Sequence, residues 1–144
     1  MLAIAGCSAS SASEGDYPAY SSEAELTAAA DAIILGEITG ERRDELDGIG
    51  YRVIAVDVLA DATTTFAAGD AIEVKLITGA VASPDPQLEV GDRYVLFLET
   101  YDSVPASLLN PWQAHFEVTD GEPVAAPDND IRLSADLRGT LGLG

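Results

Sequence analysis

The sequence predicts a mainly β domain, in which five or six short strands form an antiparallel barrel or sandwich after one short helix. Three observations support this class. Short apolar stretches alternate with a period of two, turn-forming Gly, Pro, Asn and Asp residues separate them, and neither a parallel βαβ rhythm nor an internal repeat occurs. A chain of 144 residues has the size of one domain, which we place at residues 17–144, after a flexible tether at 1–16.

The first elements are a helix and a strand. Ser22–Glu25 reads as a capping box, with Ser22 as the N-cap and Glu25 reaching back to it, and good helix formers follow. This pattern predicts a helix over about 23–30. The apolar, β-branched stretch 32–39 predicts the first strand, and we expect the charged run 41–47 to end it in a solvated loop.

The next two strands are predicted at Tyr51–Leu59 and Ala71–Ile77. In the earlier one, alternate apolar residues share a face that Arg52 is expected to continue out into solvent. The later one alternates cleanly, with Ile72, Val74 and Leu76 pointing inward. The glycines and prolines of Thr78–Asp92 predict a loop after it.

The second half of the chain contains the most apolar strand. Arg93–Thr100 is apolar on both faces, which indicates a strand covered on both sides or placed where a barrel closes. Trp112–Val118 alternates as a further strand, and Thr119–Glu122 predicts a hairpin turn into a short return strand near 123–126. Ser134 is a candidate N-cap for a short C-terminal helical stripe.

The charge of the chain is strongly negative. Twenty-five acidic residues stand against 7 basic ones, a formal net charge of −18. Such a field repels phosphate backbones and anionic headgroups, so it argues against nucleic acid and against a membrane surface as charge-driven partners. It favours solubility, and it attracts cationic partners.

The N-terminal residues indicate export and lipidation. Ile4–Cys7 is similar to the lipobox of bacterial lipoproteins, in which two small residues precede the cysteine that receives the lipid. The small polar residues 8–16 form the tether. Only three residues precede the box, so we expect a true start further upstream and a protein held at the cell surface by a lipid on Cys7. Cys7 is the sole cysteine, which rules out an intramolecular disulfide.

The order of the elements resembles the OB-like barrel of the netrin-like modules and tissue inhibitors of metalloproteinases. The resemblance covers about residues 28–118 and rests on Ala30–Ile34, on the long strand Tyr51–Leu59 and on Leu88–Leu96, which has the group's Leu-x-Val-Gly-x-x-Tyr pattern. It implies an OB-like fold and inhibition of a metalloprotease. The inhibitors of that group chelate zinc through an N-terminal cysteine that disulfides hold in place. This chain lacks those disulfides.

Few residues are candidates for a site. Trp112 and Tyr101 are aromatic candidates for ligand contact, although the same-face neighbours of Trp112, Ala114 and Phe116, favour a place in the core for it. His115 is placed by alternation on a polar strand face beside Glu117, which makes it a surface residue and at most a weak ligand contact. Asp128 and Asp130 have the spacing of a calcium loop, but without its glycine and distal glutamate they are weak metal candidates.

Sequence signatures of hydrolases, kinases and dinucleotide-binding enzymes are missing. We therefore expect a non-enzymatic, monomeric binding or scaffold module without a cofactor, whose partner is an unknown protein or small ligand at the cell surface. The alternatives are a secreted protein similar to the metalloprotease inhibitors and an accessory domain of an extracellular enzyme system.

Overall fold

The structure, a computed structural model, describes residues 18–46, 48–77, 88–127 and 129–143. The predicted lipobox with Cys7, the tether, Asp128 and most of the loop predicted at Thr78–Asp92 lie outside these ranges. Within them the chain forms two helices and seven strands, in the order α1 (Glu23–Ala29), β1 (Ala32–Leu46), β2 (Ile49–Asp61), β3 (Ala71–Ile77), β4 (Arg93–Glu99), β5 (Ala106–Leu108), β6 (His115–Thr119), β7 (Glu122–Ala125) and α2 (Ala135–Thr140).

Five of the strands form a closed barrel. They are hydrogen-bonded in the order β1-β2-β3-β5-β4, and a pairing of β4 with β1 closes the ring, while β6 and β7 extend the sheet from β4. The predicted mainly β class and the short N-terminal helix are confirmed, and the closed barrel is compatible with an OB-like fold. The prediction of purely antiparallel strands is wrong, because β3 and β5 run parallel, with Val74 opposite Ala106 and Lys75 opposite Ser107.

The β1–β2 hairpin is longer than the sequence predicts. The charged residues that were expected to form a loop continue β1 as far as Leu46, with Leu46 opposite Ile49. Ion pairs explain why charge does not end this strand, since Arg42 lies 3.0 Å from Asp44 on its own strand and 3.2 Å from Glu73 on β3. These ion pairs allow the exposed charged residues of β1 to remain in the strand without losing the backbone ladder.

Arg52 points into the structure instead of continuing its strand face into solvent. Arg52 is buried. Its Nε lies 3.1 Å from Oε1 of Glu41, and its Nη2 donates to the backbone oxygen of Leu88. The sequence expectation was wrong because a buried arginine is stable where a carboxylate and a carbonyl both accept from it. These contacts attach the segment that leads into β4 to the middle of β2.

The core is centred on β4. Tyr94–Leu98 is buried without interruption, so the prediction of a strand covered on both faces is confirmed. Phe97 packs against Phe116 of β6, with ring centroids 6.0 Å apart, and Leu26 of α1 is fully buried against the same core. The helix therefore covers one side of the barrel.

The turn before β6 differs from the sequence prediction. Trp112 lies in a turn over residues 111–113, and the strand starts only at His115. The cause is Asn110, whose Oδ1 accepts hydrogen bonds from the backbone N–H groups of Trp112 (3.2 Å) and Gln113 (2.6 Å). This Asx-type turn competes with extension of the strand. The short β5 was not predicted, because three residues are too few to show the two-residue alternation of a strand.

Both predicted helix caps are present. Ser22 Oγ accepts from the N–H of Glu25 at 3.2 Å, while Glu25 reaches back one residue further than expected, to the N–H of Ser21 at 2.7 Å. Ser134 caps α2 through the N–H of Leu137. None of the helices in the described ranges has the length and apolar character needed to span a membrane.

Candidate functional site

An open groove of about 490 Å³ lies where β3 begins, beside the segment that follows β4. Its apolar walls come from three parts of the chain and include Phe66, Ala71, Ile72, Tyr101, Val104 and Pro105. Val104 is 55% exposed and Tyr101 is 44% exposed, although both are large apolar side chains. A volume of this size is within the range of pockets that hold ligands.

One edge of β3 is open along this groove. β3 pairs with β2 from Ala71 to Ile77, but it pairs with β5 only at Val74 and Lys75. Alternate residues of an antiparallel strand turn their N–H groups away from the partner. Asp70 accepts from β2 through its backbone oxygen (Val58 N, 2.8 Å), so the N–H groups of Ala71 and Glu73 turn toward the groove. In the described part of the chain no strand covers them.

The wall formed by residues 100–105 is held from both ends. The hydroxyl of Tyr101 donates to Oε1 of Glu99 at 2.9 Å and lies 3.1 Å from the hydroxyl of Ser107, while the N–H of Thr100 donates to Asp31 Oδ2 at 3.0 Å. The hydrogen bond with Ser107 is the largest single influence on the pKa of Tyr101, and it lowers that pKa. Burial and the carboxylate of Glu99 together raise the pKa by more, so the net shift is upward. The phenol is therefore a proton donor at neutral pH.

The opposite wall is organised by Asp61. Its carboxylate accepts from the N–H groups of Thr63 and Phe66, both at 2.6 Å, and from the Thr63 hydroxyl. Thr65 fastens the same loop to the residue before β1 by donating to the backbone oxygen of Asp31 at 2.8 Å. These bonds place Phe66 on the groove.

Backbone strain occurs in the wall segment 100–105 and in the loop that carries Phe66. Thr64, with φ 59°, and Ser103, with φ 70°, adopt the left-handed conformation that non-glycine residues, and β-branched ones above all, rarely occupy. Strained residues of this kind are found preferentially at functional sites, where the surrounding contacts maintain them.

The charge around the groove is acidic. Glu73 lines it, Glu99 is bonded to Tyr101, Asp102 is exposed in the wall segment, and no arginine or lysine is among the described residues that line the groove. Arg42 partly neutralises Glu73 at a distance of 3.2 Å. The groove therefore combines apolar walls with a net negative rim.

The three weak ligand candidates from the sequence are not brought together. Tyr101 lines the groove, whereas Trp112 is half-buried in the turn before β6 and is not part of the groove. The prediction that His115 lies on the surface is wrong: it is 9% exposed, and its Nε2 donates to the backbone oxygen of Pro111 at 2.9 Å. Burial lowers its pKa, and the bond to Pro111 opposes that shift in part. The turn over 111–113 covers the face that strand alternation alone would leave polar and exposed.

A buried polar cluster beside that turn was not predicted from the sequence. Asn110 is fully buried, and its Nδ2 donates to the backbone oxygen of Pro18 at 3.0 Å and to Oε1 of Gln113 at 2.9 Å. Gln113 is in turn bonded to Tyr20. The Asn110-Pro111 dipeptide was the available signal, since Asn before Pro favours a turn. This cluster fastens the segment before α1 to the barrel.

The structure describes only one of the two weak metal candidates. Asp130 is exposed, and Asp128 lies outside the described residues. Among the residues that the structure describes, no three His, Cys, Asp or Glu side chains are grouped so that they could hold a metal ion.

A scan against protein-family models, a search of curated proteins and a search of solved structures each found no match to this chain.

Proposed function

We propose that this protein is a non-enzymatic binding module, exported and held at the cell surface through Cys7, which captures an extended segment of a partner protein in the groove. The observation that carries the proposal is the open edge of β3 at Ala71–Glu73, which borders the groove directly. An extended peptide can add to such an edge as a further strand, with main-chain hydrogen bonds giving affinity and alternate side chains giving specificity.

The walls define what the bound segment should contain. Phe66 and Ile72 on one side and Val104 and Pro105 on the other offer contact to apolar side chains, which gain from leaving water. The hydroxyl of Tyr101 and the carboxylates near the rim offer hydrogen-bond acceptors to basic side chains. A segment in which apolar and basic residues alternate meets both demands, because neighbours on a strand point to opposite faces.

The charge of the whole chain supports the same partner. A net charge of −18 attracts a basic segment from a distance and accelerates its encounter with the groove, an effect that salt weakens. An acidic or phosphorylated segment would be repelled by the same field.

The test uses a short synthetic peptide of alternating valine and lysine, with a valine–glutamate peptide of equal length as its counterpart. We expect the lysine peptide to shift the backbone amide resonances of Ala71–Glu73 and of residues 101–106, and the glutamate peptide to leave them unchanged. Val104→Lys should weaken binding of the lysine peptide, since it adds positive charge to the groove, whereas Val90→Lys places the same charge on a valine that is equally exposed, at 53%, but outside the groove.

A second variant tests the mode of binding. Ala71→Pro removes one N–H of the open edge, and a proline is tolerated at the first residue of a strand. It should weaken the lysine peptide while circular dichroism stays that of the parent. Equal losses in Val104→Lys and Val90→Lys, or unchanged binding in Ala71→Pro, would contradict capture by strand addition.

The anchor is tested separately. If Ile4–Cys7 is a lipobox, the full-length precursor expressed in a bacterial host should partition into detergent, and Cys7→Ser should release it into the aqueous phase. A wild-type precursor found entirely in the aqueous phase would refute the anchor and leave the groove unaffected.

A further inference from the structure

A second cleft, of about 270 Å³, lies between the β6–β7 hairpin and the C-terminal segment. Its lining includes Phe116, Glu122, Pro123, Ile131, Arg132 and Arg138. It shares none of its lining with the groove beside β3. Two of the 7 basic residues of a very acidic chain thus line one small cleft.

The guanidinium groups of this cleft have no partner among the described residues. Arg42, Arg52 and Arg93 each lie within 4.0 Å of a carboxylate oxygen. Within the same described ranges, neither Arg132 nor Arg138 makes a side-chain hydrogen bond or an ion pair, and the Nε of Arg138 is buried without any partner.

That arrangement carries a cost in free energy. A buried donor without a partner destabilises the fold by the loss of its hydration. The chain has 25 acidic residues, yet none of those that the structure describes forms an ion pair with either arginine. Charged donors that converge on a cleft and remain unpaired are suited to an oxyanion, which accepts from two guanidinium groups at once.

We propose that this cleft binds a small organic monocarboxylate with an apolar body. Its carboxylate accepts hydrogen bonds from Arg132 and Arg138, and its hydrocarbon part lies against the half-buried side chains of Pro123, Ala125 and Leu133. Glu122 distinguishes this ligand from inorganic phosphate. Phosphate carries part of a second negative charge at neutral pH, and the carboxylate of Glu122 at the same cleft repels that charge.

The test is a titration of the protein with sodium hexanoate at constant ionic strength, followed by backbone amide resonances. Hexanol, which has the apolar body without the carboxylate, and inorganic phosphate, which has the oxyanion without the body, are the two comparison probes. We expect saturable shifts at Glu122–Ala125 and Ile131–Leu133 with hexanoate, and affinity at least about tenfold weaker for either comparison probe.

Arg132→Gln is the main variant, because Arg132 is exposed and its loss should not unfold the protein; we expect at least about tenfold weaker hexanoate binding. Arg43→Gln is the matched control, since Arg43 is also exposed and makes no ion pair with the described residues, but lies on β1. Equal losses in both variants would mean that hexanoate responds only to overall charge and would overturn the proposal. Phosphate binding as tight as hexanoate would overturn the assignment to a monocarboxylate, as would the lack of any saturable shift.

Discussion

The side-chain amide of Gln113 pairs with both backbone groups of Tyr20, as a neighbouring strand would. Its Oε1 accepts from the N–H of Tyr20 at 2.8 Å, and its Nε2 donates to the oxygen of Tyr20 at 2.8 Å. Asn110 adds a bond to Pro18 next to it. The residues that lead into α1 are therefore attached to the turn before β6 by side chains alone, with no strand pairing in the described part of the chain.

Gln113→Ala should detach this segment. The change leaves the Tyr20 N–H and oxygen without their partner, so we expect a loss of about 1–3 kcal/mol in the free energy of unfolding and faster hydrogen exchange at the Tyr20 amide. Chemical denaturation and exchange measured by NMR check both. Tyr20 protection unchanged in the variant would show that other contacts hold the segment.

Gly36 and Gly40 offer a matched pair on β1. A Cβ at Gly36 would clash with Cγ1 of Val56 in the fully buried core, whereas a Cβ at Gly40 would meet only Ala55 Cβ at an ordinary 3.8 Å. Gly36→Ala should therefore cost about 1–3 kcal/mol of stability through overpacking. Gly40→Ala should change it by less than about 1 kcal/mol. Thermal melts of the two variants give the comparison, and equal losses would show that β1 yields at Gly36.

The core strand predicts a third result. Leu96 and Phe97 have no exposed surface and lie on opposite faces of β4, so replacing either by Ala should cost about 2–5 kcal/mol. Val90→Ala, at an exposed apolar residue, should stay within about 0.5 kcal/mol of the parent. Urea unfolding measures all three. A loss below about 1 kcal/mol for both core variants would be inconsistent with a strand covered on two sides.

His115 predicts a pH dependence of known sign. Burial lowers its pKa below 6.5, so the unfolded chain binds more protons between the two values, and stability falls as the pH drops from about 6.5 toward the lowered pKa. Repulsion between the many carboxylates acts in the opposite direction. Because that repulsion is common to the parent and to His115→Gln, the difference in unfolding free energy between the two isolates the histidine.

As the pH is lowered from 7 to 5, the parent should lose stability relative to His115→Gln. The urea midpoints of both proteins across that range measure this loss. Parallel pH profiles would mean that His115 titrates alike in the folded and unfolded chains.

The elements were largely predictable from the sequence because each has a local signal. The capping residues Ser22 and Ser134 and the two-faced apolar pattern of Arg93–Glu99 determine structure within a few residues. The hairpin turn before Glu122 is equally local.

The contacts that were missed depend on residues far away in the chain. Arg52 is buried because Leu88 and Glu41 accept from it, and His115 is covered by a turn that Asn110 organises. The groove depends on where β5 stops pairing with β3, which no local pattern encodes. The alternation of apolar and polar residues predicts which side chains share a face of a strand. It does not predict which other part of the chain covers that face.

The way in which the barrel closes bears on how fast the chain folds. The β1–β2 hairpin joins residues that are almost adjacent, such as Leu46 and Ile49, whereas the ring is completed by Ala32 opposite Leu98 and by Val74 opposite Ala106. Closing such long loops costs chain entropy before the closing contacts form, and topologies rich in them fold slowly. Until β4 and β5 dock, both outer edges of the β1–β2–β3 meander remain templates for pairing between chains. Dilute conditions during refolding should therefore favour the monomer over association through those edges.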